Sequence, residues 1–262
     1  MADDSERQPT VGWVKPGALD LGKMQTLLRM VPPGLNLSIL TTLWSLQMTN
    51  ASQFDPAAFA KQRDAILQTA HDFMEYSTLD YLAVTGDLIQ AAMGVTWDLE
   101  VRDALARETG LPVNTGMTAL VGALQHLGAS KVLIGSPYSD RQNGYYQAYL
   151  EEVGFEIVGT LGRPTTSGKE IRRLPKSAPY ETARQLLAAH PEADALYLAS
   201  PSWQSNDVVE RIEREFDRPV ITMMGGMLWA AEHVLGWAVP VQGFGRLLGT
   251  VGTPGKVAGN TG

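Results

Sequence analysis

Hydrophobic and polar positions follow two periods along this chain, and their succession predicts strands and helices in turn. Strands are predicted at Val11–Val14, Leu35–Leu43, Tyr81–Val84, around Val113, and at Lys131–Gly135, Phe155–Gly159, Leu196–Ala199 and Pro219–Thr222. Leu196–Ala199 is apolar without polar alternation, which suits a strand buried on both faces. Between them the apolar spacing turns helical. Leu21, Met24, Leu27 and Leu28 share a face of Leu19–Met30, which Val31-Pro32-Pro33-Gly34 stops. Asp55, as N-cap before Pro56, opens a helix to Tyr76. Further helices are predicted at Asp98–Thr109, before Gly128, at Arg141–Val153 and at Ala178–His190. In Asp207–Phe216, Val208, Val209, Ile212 and Phe216 form the apolar face, with Ser205 or Asn206 as N-cap. Gly225-Gly226 leads into a last helix, which ends at Gly236. Leu161–Ser177 carries neither period and reads as a long loop. Strand–helix alternation predicts parallel sheets with helices on both faces, an α/β fold.

The pattern also repeats. Tyr81-Leu82-Ala83, Pro112-Val113, Thr115, Ala123, His126 and Gly128 return in the same order as Tyr197-Leu198-Ala199, Pro219-Val220, Thr222, Ala230, His233 and Gly236. From Pro112/Pro219 to His126/His233 the separation is a constant 107 residues. A half-chain duplication of strand–helix units predicts two pseudo-symmetric lobes. We expect an N-terminal lobe at residues 1–128, with 1–10 as a tail, and a C-terminal lobe at 129–224. Residues 225–262 would be a helix returning toward the N lobe and a Gly-rich tail. The match pairs Val84 with Ser200 across the cleft. Ligands in such sheets bind beyond the carboxyl ends of the strands. Four strand ends then converge: Lys15-Pro16, Val84-Thr85-Gly86-Asp87, Ser136-Pro137-Tyr138 and Ser200-Pro201-Ser202.

Composition narrows the chemistry. The 262 residues carry a net charge of −7 and no long basic run, so a nucleic-acid partner is not expected. With no cysteine there is neither a thiolate nucleophile nor a Cys metal site. The four histidines are too scattered for metal-ligand spacing. No GxGxxG or GxxxxGK[ST] occurs, and we expect no metal or organic cofactor. The start is polar, not a signal peptide, and no apolar run reaches membrane-spanning length, so a cytoplasmic protein is expected. Arg163, Lys169, Arg172, Arg173 and Lys176 make the densest basic patch. We read it as a solvated surface loop in preference to a ligand lid. His126 and His233 lie near helix C-termini, where the helix dipole accounts for them.

With these residues in view, the chain resembles a known family. VKPGALD, YLAVTGD, ETGLPVNTGMTALVGALQHLGASKVLIGSPYSDRQN and LYLASPSWQSNDVVERIEREFDRPV are similar to the aspartate/glutamate racemase superfamily. The branch is that of arylmalonate decarboxylases and maleate isomerases. The resemblance implies two pseudo-symmetric lobes around a small carboxylate, without cofactor and often in an oligomer. Family racemases use two cysteines at symmetric strand ends, maleate isomerases use one as nucleophile, and the decarboxylases keep the C-lobe one to protonate an enediolate. Those positions fall here on Val84 and Ser200, so both thiols are missing. Thr85 and Tyr138 match positions that bind the carboxylate or oxyanion, and Gly86 stands where the decarboxylase has a serine. Asn143 belongs to the same PYSD…N pattern.

The expected chemistry is cofactor-independent loss of carbon dioxide from a small organic mono- or dicarboxylic acid. Thr85, Tyr138 and the N–H groups after Val84 and Ser200 would hold the enediolate. Tyr138, a better acid than serine, Asp87 or water would deliver the proton. Pro16, Val84, Gly86, Pro201, Ser202, Trp203 and Asn143 would line the substrate, with Trp203 closing the pocket. Asp87 has two readings, catalytic acid/base or helix N-cap before Leu88-Ile89. Ser200 either donates a hydrogen bond or is structural. Two alternatives stay open: isomerisation or elimination with Asp87 as base, and a carboxylate-binding protein without turnover.

Overall fold

The structure, a computed structural model, describes residues 7–16, 21–42, 63–165, 167–237 and 239–250. The first half runs β1 (Thr10–Pro16), α1 (Leu21–Met30), β2 (Asn36–Thr42), α2 (Arg63–Tyr76), β3 (Tyr81–Val84), α3 (Asp87–Met93), α4 (Val95–Thr109), β4 (Val113–Thr115) and α5 (Gly116–His126). The second half runs β5 (Lys131–Ser136), α6 (Asp140–Glu152), β6 (Glu156–Gly162), α7 (Gly168–Ile171), α8 (Ala178–Ala189) and β7 (Ala195–Leu198). Two 3₁₀ turns (Pro201–Trp203 and Ser205–Val208) follow, then α9 (Val209–Phe216), β8 (Val220–Thr222), α10 (Met223–Leu235) and α11 (Arg246–Gly249).

The strands form two parallel four-stranded sheets, in the orders β2-β1-β3-β4 and β6-β5-β7-β8. The two orders are identical after shifting by four strands, which is the duplication read in the sequence. Helix caps repeat as well. Thr115 Oγ1 accepts the Thr118 N–H to cap α5, and Thr222 Oγ1 accepts the Gly225 N–H to cap α10. Asp80 accepts the Thr10 N–H, and Asp194 accepts those of Ser130 and Lys131. Each aspartate thus ties the start of one central strand to its neighbour.

The ladders correct the pairing across the repeat. Val84 lies opposite Thr115, and Leu198 opposite Thr222. The Thr85 N–H bonds Val14 O as the Ala199 N–H bonds Gly135 O. The equivalent of Val84 is therefore Leu198, and the equivalent of Ser200 is Gly86. The Tyr-Leu-Ala match misleads by two residues, a slip that keeps every side chain on its face and so leaves no mark on the hydrophobic pattern.

One core cluster spans both halves and includes Trp13, Tyr81, Met117, Leu120, Leu133, Tyr146, Tyr197 and Met227. A second, with Val14, Ile66, Phe73, Leu82, Val84 and Leu105, lies within the N-terminal half. The equivalent helices α5 and α10 pack on each other. Met223 through Glu232 are all buried, as befits a helix apolar on every side. None of the helices among the described residues is long and apolar enough to cross a membrane.

Several boundaries differ from expectation. Arg7 forms an ion pair with Asp80, so the expected tail is anchored at its end. Gly225 and Gly226 lie inside α10, because Thr222 caps it. Neither Ser205 nor Asn206 caps α9, whose N-cap is Val208. Asn206 is drawn away, its Oδ1 accepting the Thr222 hydroxyl at 2.5 Å. The expected loop Leu161–Ser177 begins with the end of β6 and contains α7, packed against the 201–203 turn. Its Lys169, Arg172, Arg173 and Lys176 are exposed. The helix start at Asp55-Pro56 and the tail from Gly252 lie outside the described residues.

Candidate active site

The second residue of the turn after β3 is Gly86, at φ 117, a conformation open to glycine. This turn makes Gly86 the N-cap of α3 and Asp87 its first residue. The capping expectation for Asp87 is thereby corrected. Its carboxylate leaves its own helix and crosses to the other lobe. Asp87 Oδ2 accepts the hydroxyls of Tyr197 at 2.6 Å and Tyr146 at 3.0 Å, and the Ser200 N–H at 3.3 Å. Asp87 is 3% exposed, and Tyr146 and Tyr197 are fully buried. A carboxylate is acceptor-only, which suits three donors on one oxygen.

Tyr138 completes the group. It is 9% exposed. Its ring stacks on Tyr146, which meets Tyr197 edge-on. Burial first, then the Asp87 charge, pushes the phenols of Tyr138, Tyr146 and Tyr197 well above the usual tyrosine range. All three are neutral donors at working pH. The backbone of Tyr138 is fixed from behind. Its N–H bonds Ser136 Oγ, which donates to Asn143 Oδ1. Asn143 thus braces Tyr138, while its own buried Nδ2 has no partner.

Ser200 sits at φ 71, ψ 125, a strained setting for a residue with a side chain, of the kind concentrated at functional sites. Its Oγ accepts the Ser202 N–H at 3.2 Å. Three of the backbone N–H groups at the two strand ends are already used. The Thr85 N–H bonds Val14 O, the Ser200 N–H bonds Asp87, the Ser202 N–H bonds Ser200 Oγ, and Pro201 has no N–H.

The remaining candidates divide. Thr85 and Gly86 share the turn that delivers Asp87, and Thr85 is buried. Pro16 ends β1, next to β3. Pro201 and Ser202 form the turn after Ser200, and buried Trp203 has an unpartnered Nε1. Val84 packs into the N-terminal cluster. It also lines a cavity of about 10 Å³, the room of one water-sized sphere, with Gln90, Asp98 and Thr115.

Sequence reasoning missed four residues. Tyr146 and Tyr197 supply two of the three donors on Asp87; polar-tipped aromatics on buried faces were the available signal. Gln90 holds the turn itself: its Nε2 donates to Val84 O at 3.0 Å and its Oε1 accepts the Met117 N–H at 3.3 Å. A Cβ on Gly116 would lie 2.9 Å from that Oε1 and 3.2 Å from Asp87 Cβ, so a side chain there would push on Gln90 and Asp87. Asp98, fully buried, accepts the hydroxyls of Thr115 and Tyr149, each at 2.8 Å, while its Oδ1 is unpartnered. Burial raises Asp98 to about 6, against those two hydrogen bonds. Tyr146 and Tyr149 thus make α6 a double latch onto the N-terminal half. Asp98→Ala should destabilise the fold by roughly 1–3 kcal/mol for each hydroxyl left unpaired, read from urea unfolding; an unchanged midpoint would refute the latch.

The family profile described as arylmalonate decarboxylase matches residues 46–248. The chain is 22% identical over 248 residues to the arylmalonate decarboxylase of Bordetella bronchiseptica, covering 91% of this chain and 96% of that one. It is 31% identical over 137 residues to the maleate isomerase of Nocardia farcinica, 52% of this chain and 54% of the relative. A crystal structure of arylmalonate decarboxylase superposes with TM-score 0.75 at 20% identity, over 92% of this chain and 99% of that chain. A mutant of the Nocardia farcinica maleate cis-trans isomerase, with a covalently bound succinylcysteine intermediate, gives 0.78 at 25%, over 92% and 98%. Profile, relatives and fold agree, and the chain belongs to the arylmalonate decarboxylase family.

Proposed function

We propose that this chain is a cofactor-independent decarboxylase of a small organic acid, working between the lobes where Asp87 meets Ser200. The observation that carries this reading is the hydroxyl cluster of Tyr138, Tyr146 and Tyr197 around those two residues. Loss of carbon dioxide needs stabilisation of the resulting enolate or enediolate oxygen more than it needs a nucleophile. Tyr138, neutral and held from behind by Ser136 and Asn143, donates to that oxygen, with Thr85 as second donor. The Asp87–Tyr146–Tyr197 network relays the proton that replaces carbon dioxide. Covalent addition by a thiolate, as in the succinylcysteine relative, is closed to a chain without cysteine.

A second reading rests on the buried Asp87 carboxylate, which as a base would support isomerisation or elimination. The third is carboxylate binding without turnover. Incubation with a panel of malonic, 3-oxo and unsaturated acids in D₂O, followed by NMR, separates the three. A decarboxylase releases carbon dioxide and leaves one deuteron on the product carbon. An isomerase interconverts acids without release, and a binder shows only shifts in melting temperature. Turnover should also resist iodoacetamide, and Ser200→Cys should fold and gain sensitivity to the reagent. Inactivation of the unaltered chain by iodoacetamide would contradict the hydroxyl-based site.

A further inference from the structure

We infer that Asp87 is a built-in occupant of the cleft's carboxylate seat, and that it selects substrates whose second acyl group is uncharged. The inference rests on the interlobe cleft being the substrate site, as proposed above. Two hydroxyls and one backbone N–H converge on Asp87 Oδ2 within 2.6–3.3 Å. That is the arrangement a protein uses to hold a carboxylate oxygen. All three donors come from the other half of the chain, 59, 110 and 113 residues away. The side chain of Asp87 does not cap the helix that carries it, since Gly86 is the N-cap. The acid is therefore placed for the cleft.

Two consequences follow for recognition. Tyr146, Tyr197 and the Ser200 N–H are spent on Asp87 and cannot also receive a substrate carboxylate. Asp87 is 3% exposed, so a second anion beside it meets a repulsion much stronger than in water. A substrate with two ionised carboxylates is disfavoured on both counts. An acid with one carboxylate and a neutral amide, ester or ketone carbonyl is not, because Thr85 and Tyr138 can donate to the carbonyl oxygen. The neutral carbonyl is also the better electron sink. The bond from carbon to the carboxylate breaks, its electron pair enters the enolate, carbon dioxide leaves, and the carbon takes one proton. The substrate class is the half-amides or half-esters of malonic-type acids and 3-oxo acids.

Ligand-induced melting shifts and calorimetry on the intact chain test this without reading turnover. Asp87→Ala empties the seat. It should melt lower than the unaltered chain and regain most of the loss, saturably, on addition of formate, while chloride does nothing and formate leaves the unaltered chain unchanged. The unaltered chain should bind malonamate at least tenfold more tightly than malonate, and Asp87→Ala should lose that preference. Should the alanine variant not fold, Asp87→Asn keeps the volume and carries the same malonate and malonamate comparison. Equal stabilisation of both proteins by formate overturns the inference. So does equal affinity of the unaltered chain for malonate and malonamate, or an unchanged ratio in Asp87→Asn. Formate rescue without carbon dioxide release from any acid would sink the decarboxylase proposal and leave this one standing.

Discussion

Tyr138→Phe should slow turnover by roughly a hundredfold to a thousandfold, the usual consequence of losing one oxyanion donor. Ser200→Ala should cost less. The phenyl ring preserves the stack on Tyr146, so the fold and the Asp87 network survive and only the hydroxyl is removed. The raised ionisation range of Tyr138 keeps that hydroxyl protonated, and the N–H groups of Thr85, Ser200 and Ser202 are bonded elsewhere. Ser200 Oγ, by contrast, already accepts from Ser202 N–H, and its loss removes one local bond. Steady-state rates of carbon dioxide release from the best acid found, with circular dichroism as a folding control, settle the order. Full turnover in Tyr138→Phe together with a dead Ser200→Ala would make the serine the chemical centre and point to acyl transfer or hydrolysis.

The second large effect is on stability. Glu232 is fully buried in α10, and neither carboxylate oxygen has a hydrogen-bond partner. Burial alone raises it from 4.5 to about 8. The sign follows from linkage: an acid whose folded-state pKa is raised contributes most below its unfolded value, and the contribution is lost as pH rises through the folded one. A tenfold change in proton affinity between the folded and unfolded chain is worth about 1.4 kcal/mol, so the loss between pH 4.5 and about 8 is on the order of a few kcal/mol. Asp98, raised to about 6, completes its own loss at lower pH. Asp80 and Asp194, whose pKa values are lowered, act only on the acid side. Glu232→Met removes the charge at similar length. The margin of the variant over the unaltered chain should grow with pH and level off above about 8, reaching on the order of 5–10 °C in melting temperature. A margin independent of pH between 5 and 9 would show that Glu232 carries no buried charge.

The sequence by itself determined the architecture. Apolar runs at Tyr81–Val84 and Leu196–Ala199, helical faces such as Val209/Ile212/Phe216, and the 107-residue repeat are local or periodic signals. They specify strands, helices and duplication without reference to distant parts of the chain. The motifs around Thr85, Tyr138 and Ser200 likewise placed candidate residues at strand ends, because a parallel sheet brings those ends to one edge. The tertiary structure decided what each residue does there. Asp87 reads locally as a cap, and only the approach of α6 and β7 shows its carboxylate taken by Tyr146, Tyr197 and Ser200. The N–H groups of Thr85 and Ser200 look available until Val14 O and Asp87 claim them. The Tyr-Leu-Ala match looks like register until the ladders make Leu198 the equivalent of Val84. Hydrogen-bond partners 51 to 113 residues apart are fixed by how the lobes pack, and no pattern within a window of sequence records them.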